Sequence, residues 1–198
     1  MAGSDWYPLT VSVAPPHASG DVPDHGGAHA QGGALRLLTL CTGNAARSVM
    51  AGALLRPGPL RITTAGTHVV EGQPMSRRTR DALDSLGLRL DHHRSHQLTD
   101  GDVEEADLIL AMAGEHVAFI RRRYPGAAGR TASIKRLCRD LPAAPPPLPE
   151  RIRALGLAGL PIEAWEDVDD PAGGEDEDYL ACVRELAGLT AALLPRLS

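Results

Sequence analysis

Short apolar segments alternate with helix-like segments from residue 34 onwards, and this alternation restricts the possible folds more than any other feature of the chain. Four apolar runs predict strands, the last more weakly than the others: residues 34–41, 60–65, 106–112 and 131–137. Five segments predict helices from their apolar spacing, caps and breakers: residues 48–55, 77–86, 116–124, 150–155 and 176–194. Strands that alternate with helices form parallel sheets with right-handed crossovers. We therefore predict an α/β fold, a single domain whose four-stranded parallel sheet has helices on both faces.

The chain divides by composition into a tail and one domain. Residues 1–33 are rich in Gly, Pro, His, Ala and Ser without periodicity, which predicts a disordered N-terminal tail. Residues 34–198 are long enough for one domain with a sizeable core. Within that domain, the proline-rich segment 142–149 interrupts regular structure.

Charge and cysteine content exclude several classes of protein. With a net charge of −5, we expect no nucleic-acid partner. The three cysteines, Cys41, Cys138 and Cys182, do not form a disulfide framework by number or spacing, and they fit a reducing cytosol. No apolar run approaches the roughly 18 residues of a membrane span, and the N-terminus lacks the layout of a signal peptide. We expect a cytoplasmic monomer with no membrane partner.

The segment CTGNAARS, residues 41–48, joins the first predicted strand to the first predicted helix. Ligands of parallel α/β sheets bind at the carboxyl ends of the strands, which is where Cys41 lies. A strand-to-helix loop can turn its backbone N–H groups inward as an anion-sized nest, and the positive end of the helix favours the same anion. We expect Gly43 to supply the unusual backbone angles of this nest. The guanidinium of Arg47 matches two phosphate oxygens. The sequence therefore predicts a phosphate-binding loop.

Within this loop, Cys41 is the predicted nucleophile. A helix N-terminus and a nearby arginine favour the thiolate form of a cysteine. Ser48 can donate a hydrogen bond to the sulfur, and Asn44 can pin the loop through bonds to the backbone. The other interpretation of the segment is a buried cysteine at a strand end beside a surface arginine. The remaining predicted phosphate-binding residues are Thr42, Gly43, Asn44, Ala45, Ala46 and Ser48.

Five segments together resemble the low-molecular-weight protein tyrosine phosphatases, including their bacterial members, over roughly residues 35–195. They are LCTGNAARS (40–48), TTAGT (63–67), HRSHQL (93–98), DLILAM (107–112) and DVDDPAGG (167–174). The resemblance implies that Cys41, in a Cys-x5-Arg P-loop, attacks a phosphate monoester and forms a phosphocysteine, with Arg47 binding the phosphate. It implies that Asp170, followed by Pro171, is the general acid, and that no metal or organic cofactor takes part. The implied substrate is a phosphorylated protein, with phosphotyrosine foremost, or a small phosphomonoester.

The chain departs from the family at several positions. Ala46 stands where many relatives have a second cysteine, and Val49 where many have proline. Relatives that take phosphotyrosine wall the pocket with aromatic residues, whereas the corresponding neighbourhoods here offer valines 69 and 70 and Ala172. An apparent insertion at about residues 140–165 contains Trp165, which either supplies an aromatic wall or simply packs.

Other interpretations remain open at this point. The same scaffold is shared with thioredoxin-linked arsenate reductases, but residues 113–137 contain no cysteine for a relay, so only a reductase using an external thiol fits. A non-catalytic phosphate-binding module is a further alternative. The acidic residues around Asp170 could be only a solvated charge run. His92, His93 and His96 could hold a metal, but a structural part is the favoured interpretation.

Overall fold

The computed structural model describes residues 33–198, so the predicted tail, apart from Gly33, lies outside the described residues. The strands in this part of the chain are β1 (Leu35–Cys41), β2 (Leu60–Gly66), β3 (Leu108–Ala111) and β4 (Thr131–Ser133). The α-helices are α1 (Arg47–Leu55), α2 (Arg77–Asp84), α3 (Asp100–Glu105), α4 (Gly114–Arg123), α5 (Ile134–Asp140), α6 (Leu148–Ala154) and α7 (Asp176–Leu193). Short 3-10 helices occupy Pro125–Arg130, Leu157–Gly159, Ala164–Glu166 and Leu194–Arg196.

The four strands form one parallel sheet in the order β2-β1-β3-β4. Strand β1 lies inside the sheet, and its two apolar faces pack into different hydrophobic clusters. Leu37 and Cys41 belong to the cluster that also contains buried residues of α1, α5 and α7. Leu38 and Leu40 belong to the second cluster, with Val103 of α3 and residues of α4. Alternate residues of a strand point to opposite faces, so helices cover both sides, as predicted.

The fourth strand is shorter than predicted. Residues 131–137 were expected to form it, but β4 ends at Ser133, whose hydroxyl accepts a hydrogen bond from the Arg136 amide at 3.1 Å and caps α5. Ile134 and Leu137 are fully buried three residues apart, a spacing that fits one face of a helix as well as it fits a short apolar run. The prediction was wrong there because it did not weigh Ser133 as an N-cap.

Helix α3 was not predicted at all. It begins after Thr99, whose side chain and that of Asp102 cap each other's backbone amides in a capping box. The helix has six residues and one buried side chain, that of Val103, so it leaves little periodicity to detect. The Thr-x-x-Asp spacing was the available signal.

The segment that was interpreted as an insertion, residues 140–165, contains α6 and packs against the end of the chain. The Arg151 side chain is buried and donates to the carbonyls of Pro142 and Ala143 in the proline-rich stretch, and to that of Arg196. These bonds give the stretch a defined path without regular structure. Its status as an insertion stays a prediction.

Candidate active site

The loop after β1 wraps around the sulfur of Cys41, the last residue of the strand. Cys41 is buried, and its Sγ lies 3.0 Å from Oγ of Ser48 in the first turn of α1. No side chain in the described part of the chain caps the N-terminus of α1, so its first amides stay available to an anion. Gly66 at the end of β2 permits the close approach of the loop, because a Cβ there would lie 2.5 Å from the Thr42 carbonyl oxygen.

Asn44 holds the shape of this loop and is fully buried. Its Nδ2 donates to Ser48 Oγ at 3.0 Å, and its Oδ1 accepts from the His96 amide at 2.9 Å. Its backbone carbonyl accepts from Ser95 Oγ at 3.0 Å and from His93 Nε2 at 2.8 Å. Because Ser48 Oγ already accepts from Asn44, its own proton is free to point at the sulfur. The expected pinning of the loop by Asn44 is therefore present.

The unusual backbone angle belongs to Asn44, not to Gly43 as predicted. Asn44 has φ +48°, and it is the non-glycine residue in the left-handed region within residues 33–198. Gly43 is not among the positive-φ glycines of that part of the chain. Asparagine tolerates this conformation better than most residues, and its side-chain bonds on both sides offset the remaining cost.

Arg47 lies at the centre of the site. Its guanidinium donates to the Val168 carbonyl at 3.2 Å, to Thr42 Oγ1 at 3.4 Å and to Asp170 Oδ2 at 2.6 Å. The other carboxylate oxygen of Asp170 accepts from the Ala172 amide at 3.1 Å. The structure thus brings together Cys41, Arg47 and Asp170, the three residues singled out as catalytic. One cleft is lined by all three with seven others: Gly43, Ala45, Ala46, Ser76, Thr79, Ala172 and Tyr179.

Two of the acidic residues before Asp170, Glu166 and Asp167, are held by hydrogen bonds to the domain. Glu166 is buried and accepts from Arg136 at 2.5 Å and from Ser133 at 2.8 Å. Burial alone would raise the pKa of Glu166, but these hydrogen bonds and the charge of Arg136 outweigh it and the pKa is lowered. Asp167 Oδ1 accepts from the Gly114 amide at 2.6 Å. The segment leading to Asp170 is therefore fixed to the body of the domain.

A polar cluster beside the loop was missed by the sequence analysis. Thr42 Oγ1 donates to Glu115 Oε1 at 3.0 Å and lies 3.0 Å from His116 Nε2. Since the single hydroxyl proton goes to Glu115, His116 must donate through Nε2, which leaves its buried Nδ1 without a partner among the described residues. Burial, and then the nearby charge of Arg47, lower the pKa of His116 to about 4. Nothing in the local sequence signals this cluster, because its members meet only through the pairing of β1 with β3.

The rim of the cleft also differs from expectation. Ser76, the N-cap of α2, and Thr79 in that helix line it in place of the predicted valines, of which Val70 is 71% exposed. Trp165 packs, with the guanidinium of Arg139 3.9 Å from its ring centroid, and is not among the lining residues. The contribution of Tyr179 from α7 was also missed. The sequence around Tyr179 indicates only a position on a helix and nothing about the cleft.

The three histidines form no metal site. Within residues 33–198 no group of His, Cys, Asp and Glu side chains is arranged to hold an ion. His93 bonds the loop, and His96 bonds Asp102 at 2.8 Å. Burial lowers the pKa of His96, but the hydrogen bonds and charges of Asp102 and Glu71 outweigh it, so the pKa lies above 6.5. Separately, none of the helices in this part of the chain has the length and apolar character to cross a bilayer.

The domain has a parallel sheet whose inner strand ends in a Cys-x5-Arg loop, and an Asp-Pro segment folds onto the arginine of that loop. These features together define one class of α/β proteins. The sequence model of the family described as low molecular weight phosphotyrosine protein phosphatase matches residues 36–144. The protein-arginine-phosphatase of Geobacillus stearothermophilus is 32% identical over 166 residues, which cover 82% of this chain and 95% of the relative. The probable low molecular weight protein-tyrosine-phosphatase EpsP of Ralstonia solanacearum is 38% identical over 104 residues, or 51% of this chain and 69% of the relative.

A solved structure agrees with the sequence comparisons. The YwlE arginine phosphatase from Geobacillus stearothermophilus superposes with a TM-score of 0.66 at 32% identity, covering 82% of this chain and 92% of that one. The chain therefore belongs to the low molecular weight phosphotyrosine protein phosphatase family, and it is a phosphatase of that family.

Proposed function

We propose that this protein removes phosphoryl groups from phosphorylated proteins through a phosphocysteine on Cys41, with Arg47 binding the phosphate and Asp170 as the general acid. The observation that carries the proposal is the contact between Asp170 and Arg47 at 2.6 Å, in the cleft that Cys41 also lines. The contact brings Asp170 to the cleft in which the loop after β1 and Cys41 lie.

In the first step, the Cys41 thiolate attacks phosphorus and the bond to the leaving oxygen breaks. Arg47 and the loop amides bind the equatorial oxygens, where negative charge is held in the transition state. The substrate phosphate takes the place of the Asp170 carboxyl group on Arg47, and Asp170, protonated in this complex, gives its proton to the leaving oxygen and becomes a carboxylate. The side chain of Asp170 is 45% exposed, so it can reach a leaving group that enters from solvent.

In the second step, water attacks the phosphocysteine and Asp170 takes a proton from that water, which restores both groups. The Cys41 sulfur leaves as a thiolate. Ser48, whose hydroxyl proton is free for the sulfur, stabilises it. Besides the substrate, the proposed cycle draws only on water.

Phosphotyrosine is the first candidate substrate, since the family takes its name from it. Phosphoarginine is the second candidate, and two observations favour it. One relative, 32% identical over 82% of this chain, is named a protein-arginine-phosphatase. In addition, Ala45 and Ala172 line the cleft and Tyr179 is the one aromatic residue among its lining residues, while the carboxylates of Glu115 and Asp170 lie beside the loop. A cationic guanidinium gains more from carboxylates than a neutral phenol ring does.

The proposal is tested by Cys41→Ser, with Cys138→Ser as the matched control on α5. Cys41→Ser is expected to abolish turnover of p-nitrophenyl phosphate but to keep phosphate binding, because Arg47 and the loop amides remain. Arg47→Lys is expected to be nearly inactive, because an ammonium cannot copy the planar fork. Cys138→Ser is expected to behave as wild type. Turnover by Cys41→Ser above a trace would contradict the mechanism, and arsenate reduction with an external thiol in the absence of phosphatase activity would favour the reductase alternative.

A further inference from the structure

Arg78, in the first turn of α2, is bound to the segment that follows Asp170. Its Nε donates to Asp176 Oδ1 at 2.8 Å, one terminal nitrogen donates to the Gly174 carbonyl at 2.7 Å, and the other donates to Glu175 Oε2 at 2.7 Å. All three partners are consecutive residues. We call this set of contacts the Arg78 clamp. It uses the full fork of the guanidinium, which a single ion pair would not require.

The next residue of α2 is bound to the phosphate-binding loop. Thr79 is fully buried, and its Oγ1 donates to the Ala45 carbonyl at 2.9 Å. Ser76 Oγ lies 3.0 Å from the same Thr79 oxygen, and since the threonine proton goes to Ala45, Ser76 is the donor. Two neighbouring side chains of one helical turn thus contact the two loops that meet over Cys41.

The segment that carries Asp170 is held at its start and at its end. At its start, the Val168 amide donates to the Met112 carbonyl at 2.9 Å at the end of β3. At its end, the clamp fixes Gly174. Between these points the backbone bonds are local, Ala172 to Asp170 and Gly174 to the Pro171 carbonyl at 3.0 Å, and the Asp170 carboxylate is also held directly by Arg47 at 2.6 Å. The turn also contains Gly173 at φ +85°. When a substrate phosphate occupies Arg47, the position of Asp170 therefore depends on how the backbone is held at Val168 and at Gly174.

We propose that Arg78 is a positioning residue for Asp170: through its three contacts it sets the distance between the acid and the leaving oxygen above the phosphate-binding loop. The inference rests on the proposed function, in which Asp170 is the acid. Exposed ion pairs contribute little to global stability, and the Arg78 side chain is 35% exposed. Proton transfer, by contrast, is sensitive to misplacement on the order of 1 Å. The clamp therefore acts on the protonation of the leaving group rather than on folding.

Arg78→Ala is compared with Arg80→Ala, an exposed arginine of the same helix that lies outside the clamp. Each variant is assayed with p-nitrophenyl phosphate, a good leaving group, and with phenyl phosphate, a poor one. Arg78→Ala is expected to lose about 10- to 100-fold in kcat for phenyl phosphate, a share of the effect of a general acid, and much less for p-nitrophenyl phosphate. The inhibition constant of inorganic phosphate is expected to stay unchanged, since Arg47 is untouched. Arg78→Lys keeps the surface charge, and its loss is expected to lie between wild type and Arg78→Ala.

The Asp170→Asn background separates this inference from the proposed function. If Arg78 acts through Asp170, Arg78→Ala costs nothing further in that background. An equal loss for both leaving groups, or a further loss in the Asp170→Asn background, would overturn the positioning role while leaving the acid assignment intact. If Asp170→Asn itself failed to discriminate between the leaving groups, the acid assignment would fall and the role of Arg78 with it.

Discussion

Arg47 and Asp170 are 123 residues apart in the chain and form an ion pair at 2.6 Å, in which the arginine is buried and the aspartate is open to solvent. The arginine side chain is 5% exposed and the aspartate side chain 45%. The buried partner is fixed by its bond to the Val168 carbonyl, so it can present a constant surface to phosphate. The exposed partner can meet a leaving group that belongs to a protein.

Replacing Asp170 by Asn removes the proposed proton donor but keeps the shape of the side chain. We expect kcat for phenyl phosphate to fall by about 10²–10⁴-fold, the usual share of a general acid, with a smaller loss for p-nitrophenyl phosphate. Steady-state kinetics with both substrates measures this. Asp169→Asn is the matched control and is expected to behave nearly as wild type. A comparable loss at Asp169 would move the acid to that residue.

The charge of Glu115 is expected to favour a cationic leaving group. Glu115→Gln should lower kcat/KM for a phosphoarginine peptide about 2- to 5-fold, the range of an exposed charge pair, and leave that for the matching phosphotyrosine peptide unchanged. Glu104→Gln, an exposed residue of α3, is the control. Equal effects of Glu115→Gln on both peptides would show that Glu115 does not read the charge of the substrate.

Asn44 combines a left-handed backbone with two side-chain hydrogen bonds, and two variants separate these contributions. Asn44→Ala loses both bonds and strains the backbone, so we expect a loss of about 2–4 kcal/mol in the free energy of unfolding. Asn44→Gly loses the same bonds without the strain, and is expected to be about 1 kcal/mol more stable than Asn44→Ala. Urea unfolding measures both. Equal stability of the two variants would mean that the backbone of residue 44 adds no cost.

His116 is expected to make the fold sensitive to acid. Its pKa is lowered from 6.5 to about 4, so between these pH values the unfolded chain binds a proton that the folded protein does not. Stability is therefore lost as the pH falls through this window, by up to about 3 kcal/mol. Urea unfolding of His116→Gln at pH 7 and pH 4.5 should show a smaller fall than wild type.

The pKa of His96 is shifted in the opposite direction to that of His116, so its effect on stability has the opposite dependence on pH. Its folded pKa is raised, so its contribution to stability is complete below pH 6.5 and is lost as the pH rises through the folded pKa. His96→Gln should therefore lose more stability relative to wild type at pH 5 than at pH 8. For His116, by contrast, the free energy of unfolding of His116→Gln would contradict the burial of a neutral imidazole if it changed with pH in parallel with that of wild type.

The parts of the molecule that could be predicted from sequence are those whose local residue pattern already indicates their place in the fold. The first strand is apolar and ends at Cys41, and the candidate active-site loop that follows consists of consecutive residues, so the strand and the position of the loop were predicted. The cap at Ser133 competed with an apolar run, and the strand prediction extended too far. Thr79 and Tyr179 reach the cleft only because α2 and α7 pack beside the loop, which no local pattern encodes. Likewise, the choice of Asn44 over Gly43 as the left-handed residue depends on partners such as His96, about fifty residues away in the chain.

The small side chains at the mouth of the cleft bear on how this phosphatase could be inhibited selectively. Ala45 and Ala172 offer only methyl groups, so an arylphosphonate that relies on ring stacking has only Tyr179, which is 8% exposed, to stack on. An oxyanion carrying a short cationic arm would instead meet the carboxylates of Asp170 and Glu115. Compounds of the second kind would discriminate between this protein and phosphatases whose pockets have aromatic walls.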